Sequence, residues 1–376
     1  MDQARKKNLI RNLVVLFVSL VVSLLLAEVV LRLVTDLPQP RIVVFDKWIG
    51  HTLRPGLSSV DATEGQGRFT INSYGFRDRQ WRLKADKYRI AVLGDSFTEA
   101  LQVDLDQAFH KIVEQKLPMV ETMNFGIRSQ GTIQELLTYR HYARQFHPQM
   151  VVLAFFAGND LTDNLQLTRP RWRMPVWVDL NGDHLVFHKS KRQILMRLGW
   201  PVLDIALYRS ALGQALYNLR LRRVAGEHQN AIAAAGLWDG AFSEPKTEEA
   251  KRIWRLTEAA ILTLRDEVVA DGAKLLVMFV TQDVQVDAPQ RADFHKKHPD
   301  LDVDFAEKHL AAFCEKNGIP SLRLSEQFLK YNEATGKALH GFGETRGGHW
   351  NAEGHRLAGQ LLAEKIKSLM NAAKIH

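Results

Sequence analysis

The chain reads as an α/β protein built on a parallel sheet with helices on both faces. Three observations predict this. Four apolar runs have strand length: Arg89–Leu93, Glu121–Phe125, Met150–Phe156 and Lys274–Val280. Helical periodicity recurs at about 105–117, 131–146, 247–270, 303–317 and 352–371. Strands alternating with helices imply a parallel sheet covered on each side. Third, 376 residues with 46% hydrophobic and 24% charged residues give an ordinary globular composition. That excludes wholesale disorder and fibrous or low-complexity scaffolds.

Residues 1–11 carry Arg5, Lys6, Lys7 and Arg11 against Asp2 and form a basic tail. The run from Asn12 to Val34 follows, long and apolar enough to span a bilayer. Glu28 and Arg32 sit near its end, four apart on one helix face, and can pair. A cleaved signal peptide is the rival reading. The residues after Ala27 are bulky, so a small-residue cleavage site is lacking. The positive-inside rule keeps residues 1–11 cytoplasmic and exports residues 35–376. In a bacterial cell this is a single-pass inner-membrane anchor with the remaining chain on the periplasmic side.

Residues 35–87 form a linker and an accessory segment of short extended pieces with turns, including Asn72-Ser-Tyr-Gly-Phe-Arg77. The α/β domain occupies 88–376, with an insertion at about 165–245 that breaks the alternation. Within the insertion, residues 189–223 carry a net charge of +7, and apolar residues such as Ile194, Leu198 and Leu216 are interleaved. They are expected as a solvated helix pair. The sharper alternative is a basic surface held against anionic lipid or polysaccharide.

The whole chain is +8, which alone suggests a nucleic-acid partner. Partitioned, the tail holds +3, the inserted segment +7 and the remainder −2. The bulk of the protein is near neutral, so no nucleic-acid partner is expected. The single cysteine, Cys314, excludes an intramolecular disulfide framework and a Cys-rich zinc site. It falls in a predicted helix away from the chemistry.

Candidate chemistry sits at strand ends, where open α/β sheets bind ligands. The first strand ends in Gly94-Asp95-Ser96-Phe97-Thr98-Glu99. A serine in a strand-to-helix turn exposes its hydroxyl and frees its backbone N–H, as a nucleophile with half an oxyanion hole requires. A turn or N-cap serine is the bland alternative. The second strand ends in Asn124-Phe-Gly126-Ile-Arg128-Ser129-Gln-Gly131, a loop able to present backbone N–H groups, or merely a turn with structural glycines. The third ends in Gly158-Asn159-Asp160, where Asn159 either donates to a developing oxyanion or makes an Asx turn. Near the C-terminus, His349 in His349-Trp-Asn-Ala-Glu-Gly-His355 can reach the serine as general base.

The ordered set resembles the SGNH, or GDSL-type, hydrolase family, over roughly residues 70–165 and 247–376; the Asn72–Arg77 segment resembles bacterial membrane-anchored members. The resemblance implies a three-layer α/β/α sandwich. It implies Ser96 as nucleophile and His349 as base. The oxyanion hole would use the Ser96 N–H, the Asn159 side chain and the Ser129 N–H. Gly126, Arg128, Asp95 and Asp160 are candidate substrate contacts. Two positions depart from the family pattern. Ser129 stands where a glycine is usual, and serine tolerates a positive φ poorly. No Asp lies two or three residues before His349, where Arg346 and Gly347 stand. Either Glu344 serves as substitute acid or a backbone carbonyl holds the ring in a Ser–His dyad; both rank above an impaired enzyme.

Other groups weigh less. His349 and His355 are six apart, the wrong spacing for a zinc helix, and His355 is expected to pack around the last helix. Asp160 and Asp163 are expected as solvated loop carboxylates, not a cation site. Arg169, Arg171, Trp172 and Arg173 form a basic aromatic cluster, read as ordinary surface or as a wall for an anionic or carbohydrate substrate. No metal or organic cofactor is expected. The function so predicted is a membrane-anchored serine esterase, acting on an ester such as O-acetyl groups of envelope carbohydrate. An O-acetyltransferase using the same site, or a degenerate domain serving as a binding or assembly partner, are the alternatives.

Overall fold

The computed structural model describes residues 3–34, 42–61, 63–84, 86–168, 174–189, 210–213, 215, 226, 229–237 and 241–372. The chain forms two compact units: Met1–Ile42 with Arg192–Ala231, and Val43–Lys191 with Ile232–His376.

The first unit holds a 32-residue helix, Gln3–Val34. Its apolar part has a mean hydropathy of 2.9 and none of it is buried. By length and composition it can cross a membrane. Arg32 donates to Glu28 at 2.7 Å, the pair expected from their spacing. The same carboxylate accepts from the backbone N–H groups of Ala211 (2.9 Å) and Leu212 (3.0 Å). Most of the basic segment 189–223, and all of the Arg169–Arg173 cluster, lie outside the described residues.

The second unit begins with two antiparallel pairs. β1 (Val43–Asp46) pairs with β2 (Gly50–Leu53), and β3 (Ser58–Val60) with β4 (Arg68–Thr70). The parallel sheet follows: β5 (Tyr88–Gly94), β6 (Val120–Gly126), β7 (Met150–Phe156), then, beyond the hairpin β8 (Val176–Asn181) and β9 (His184–Lys189), β10 (Lys274–Val280) and β11 (Ser321–Arg323). The spatial order is β11-β10-β7-β5-β6, all parallel. The order reverses between β5 and β7, so a crevice opens at their C-terminal ends.

Alternate side chains serve opposite faces. Ile90, Val92, Met150, Val152, Leu276 and Met278 join one core with the helices Phe109–Lys116 and Ala352–Ala372. The intervening Ala91, Leu93, Val151, Leu153 and Val277 are equally buried, on the face of the helices Thr132–Thr138 and Glu248–Ala270. Both faces are covered, which is why these strands read as unbroken apolar runs. Cys314 is buried in the helix Phe305–Lys316.

Residues 43–87, read from sequence as an accessory segment, belong to the same compact unit as the sheet. Gln134 donates to the carbonyl of Ile49 (2.9 Å) and Gln130 to that of His51 (3.1 Å). Asn72 accepts from the N–H groups of Tyr74 and Phe76, shaping a turn that drives Phe76 and Arg77 fully into the interior. Part of the expected insertion also joins this unit, as the β8–β9 hairpin.

Candidate active site

Ser96 opens the four-residue helix Ser96–Glu99 directly after β5. Asp95 caps it, accepting from the Phe97 N–H at 2.9 Å. A first-turn N–H has no carbonyl of its own helix to bond, which leaves that of Ser96 free for a ligand. The turn is tight: a Cβ on Gly94 would lie 2.2 Å from Thr98 Oγ1. One on Gly126 would lie 2.4 Å from the Glu99 nitrogen, so glycine lets the end of β6 approach this helix.

His349 lies in the loop before the last helix. The Trp350 side chain beside it is fully buried and anchors that loop in the core. Trp350 Nε1 donates to Thr281 Oγ1 (2.9 Å), whose hydroxyl meets His340 Nε2 (3.0 Å). His340 Nδ1 in turn donates to the carbonyl of Gly348 (2.8 Å). Burial holds His340 down at about 4, which keeps it neutral for this role. So placed, His349 Nε2 faces Ser96 Oγ at 2.8 Å. Its ring packs on Phe97, with centroids 4.8 Å apart.

The carboxylate beside His349 is Glu64, and Glu344 does not reach it. Both Glu64 oxygens lie 3.0 Å from His349 Nδ1, and one accepts from the His349 backbone N–H at 3.3 Å. A carboxylate can only accept, so Nδ1 carries the proton and the Nε2 lone pair faces the serine hydroxyl. Glu64 sits in the turn between β3 and β4. Asp61 organises that turn, accepting from Thr63 N–H, Thr63 Oγ1 (2.7 Å) and Glu64 N–H (3.2 Å). Gly65 and Gly67 press it against residues 101–103, where added Cβ atoms would come within 2.0 and 2.4 Å of carbonyl oxygens. Glu344 is exposed and makes no hydrogen bond among the described residues. Glu64, His349 and Ser96 stand in a three-member line, where the sequence offered Glu344 or a Ser–His dyad. The sequence signal for Glu64 was the missing acid before His349, together with a Gly-rich acidic turn upstream.

The loop after β6 is tied to the nucleophile's helix. Glu99, fully buried, accepts from the Arg128 N–H (2.6 Å) and from its guanidinium (2.7 and 2.8 Å). His51 Nε2 donates to the carbonyl of Arg128 at 2.8 Å. Ser129 stands at φ 58°, the left-handed conformation for which glycine is the ordinary choice. The departure at Ser129 therefore changes the residue and keeps the backbone shape.

Asn159 caps the helix Asp160–Asn164 at the end of β7 and lies beside Asp95. Its Nδ2 donates to Asp163 at 3.2 Å, which uses one of its two protons. Asp160 and Asp163 are buried rather than solvated, because their helix packs inward against Thr132–Thr138 and Glu248–Ala270. With Asp95 and Glu135 they make four buried carboxyl groups. Burial raises Asp95 and Asp163 to about 7 and pushes Glu135 and Asp160 well above the carboxylate range, with mutual repulsion adding to it. Of the expected substrate contacts, Asp95, Asp160 and Gly126 are thus sealed inside, and Arg128 is committed to Glu99. His355 packs flat against Phe109, as expected for a core histidine. Among the described residues no three His, Cys, Asp or Glu side chains group as metal ligands.

No family model and no curated protein matches the chain. Solved structures do resemble it. A member of the lipolytic protein G-D-S-L family from Veillonella parvula DSM 2008 is 12% identical, with a TM-score of 0.38 over 73% of this chain and 96% of that one. The acetyl xylan esterase AlAXEase is 12% identical, with a TM-score of 0.39 over 75% and 98%. The α/β hydrolase LAE5 from the metagenome of Lake Arreo, Spain, is 10% identical, with a TM-score of 0.40 over 75% and 96%. Likeness at this level does not fix a reaction, which has to be read from the side chains.

Proposed function

We propose that the chain is a serine ester hydrolase, held to a membrane by its N-terminal helix and acting outside the cytoplasm on O-acyl groups of envelope carbohydrate. The observation that carries the chemistry is the continuous hydrogen-bonded line from Glu64 through His349 to Ser96. As Ser96 Oγ attacks the ester carbonyl, its proton passes to His349 Nε2. Glu64 orients the ring and stabilises its charged form. The oxyanion is held by the N–H groups of Ser96 and Ser129 and by the side-chain amide of Asn159, which turns a proton to it from its carboxyl neighbours Asp95 and Asp163. Collapse expels the alcohol, which takes the proton from Nε2, and leaves an acyl-Ser96 ester. Water repeats the sequence and releases the acid.

The basic tail before the apolar helix favours export of the second unit. A full-length mass in the membrane fraction supports an anchor over a cleaved signal peptide. Fluorophosphonate labelling and p-nitrophenyl acetate turnover, measured beside Ser96→Ala, test the chemistry. Equal signals in the two proteins would sink it.

A further inference from the structure

A second cavity adjoins the loops that carry the acid and the base. It is a cleft of 680 Å³, within the range of small-ligand sites. One wall is Gly65–Gly67, the residues directly after Glu64. The facing wall is residues 341–346, directly before the His349 loop. Its floor includes Gln102 and Asn351.

The lining is polar. Gln66 and Glu344 are exposed and have no hydrogen-bond partner among the described residues. Gln102 is 3% exposed, and its Oε1 has no partner. Arg346 is more than half exposed and offers several donors. Phe342 adds one apolar patch, packed at its back on Ala100 and Val103. Amides that donate and accept match hydroxyl groups, which do both. An acyl chain would leave these groups unpaired and desolvated at a cost. A polyanion would meet Asp104, Glu344 and Glu353 against the single guanidinium of Arg346.

We propose that this cleft binds the carbohydrate part of the substrate, and that the carbohydrate is neutral. The inference rests on Ser96 being the nucleophile of an ester of that carbohydrate. Sugar bound between the two walls fixes both loops, so occupancy also steadies Glu64 against His349.

Binding is tested apart from turnover on the full-length Ser96→Ala chain in detergent. The titrants are β-1,4-linked hexasaccharides of glucose, mannose and N-acetylglucosamine, with a hexauronate as the anionic comparison. The expected result is binding of at least one neutral hexasaccharide, weakened tenfold or more by adding Gln66→Ala and Arg346→Ala. With Ser96 restored, the double variant keeps p-nitrophenyl acetate kcat/KM within twofold of the parent. Its KM for the O-acetylated form of the same hexasaccharide rises at least tenfold. Failure of every neutral hexasaccharide to bind, binding indifferent to the double variant, or tighter binding of the hexauronate overturns the proposal. An intact chain inert toward p-nitrophenyl acetate refutes the esterase reading alone, because the Ser96→Ala titration still decides the cleft.

Discussion

Replacing Glu64 by alanine removes the carboxylate at His349 Nδ1 and leaves the Ser96–Nε2 contact in place. An imidazolium and a carboxylate with charge centres about 4 Å apart interact by about 4 kcal/mol at an effective dielectric constant near 20. Glu64 is 33% exposed and His349 23%, so solvent screens part of this. Half to three-quarters of it, about 2–3 kcal/mol, remains to stabilise the transition state. At about 1.4 kcal/mol per tenfold change, kcat should fall by about 30- to 150-fold. KM should hold, since among the described residues the Glu64 carboxylate bonds only to the His349 side chain and backbone. Glu64→Gln should fall similarly, because an amide offers no charge. Glu64→Asp, one methylene short, should recover part of the rate. Glu344→Ala should change nothing. The assay is steady-state hydrolysis of p-nitrophenyl acetate by all four variants. A Glu64→Ala protein within threefold of the parent, or an equal loss in Glu344→Ala, refutes the assignment.

Three further outcomes follow from the same geometry. Ser129→Gly relieves a left-handed serine and should raise the urea midpoint, by up to about 1 kcal/mol of stability, with kcat within twofold; an unchanged or lower midpoint counts against strain at that position. Gly126→Ala drives a Cβ into the backbone at Glu99 and should cost about 1–3 kcal/mol and most of the activity, read by urea unfolding and turnover. The buried carboxyl groups set a pH dependence. Asp95 and Asp163, raised to about 7, keep protons in the folded chain that the unfolded chain has released above about pH 4. Stability should therefore fall as pH rises from about 4 through 7, and calorimetry should give a higher Tm at pH 5 than at pH 8. Glu135→Gln, which keeps the shape and removes a titrating group, should flatten that slope.

The central strands were legible because burial on both faces writes itself as continuous apolar runs, and Met150–Phe156 and Lys274–Val280 match to the residue. β11 has only three residues and left no such trace. The helix Ala288–Lys297 has no buried residue and hence no apolar periodicity. Ser96, Ser129, Asn159 and His349 could be picked out because each lies in a short turn at a strand end or before a helix. For Glu64 the missing acid before His349 and the Gly-rich acidic turn were only a pointer, since its partner is 285 residues away and tertiary packing joins them. The burial of Asp160 and Asp163 was equally hidden, because it depends on which way a five-residue helix leans.

The candidate triad runs Glu64, Ser96, His349 along the chain, so its acid and base come from opposite ends of the second unit. In synthesis the acid and the nucleophile emerge well before the base. His349 follows every strand of the sheet in the chain, and until Trp350 seats in the core its ring is not held against Ser96. Turnover then reports that the His349 loop has docked. A cut that releases the His349 loop should abolish turnover while leaving Ser96 in the chain.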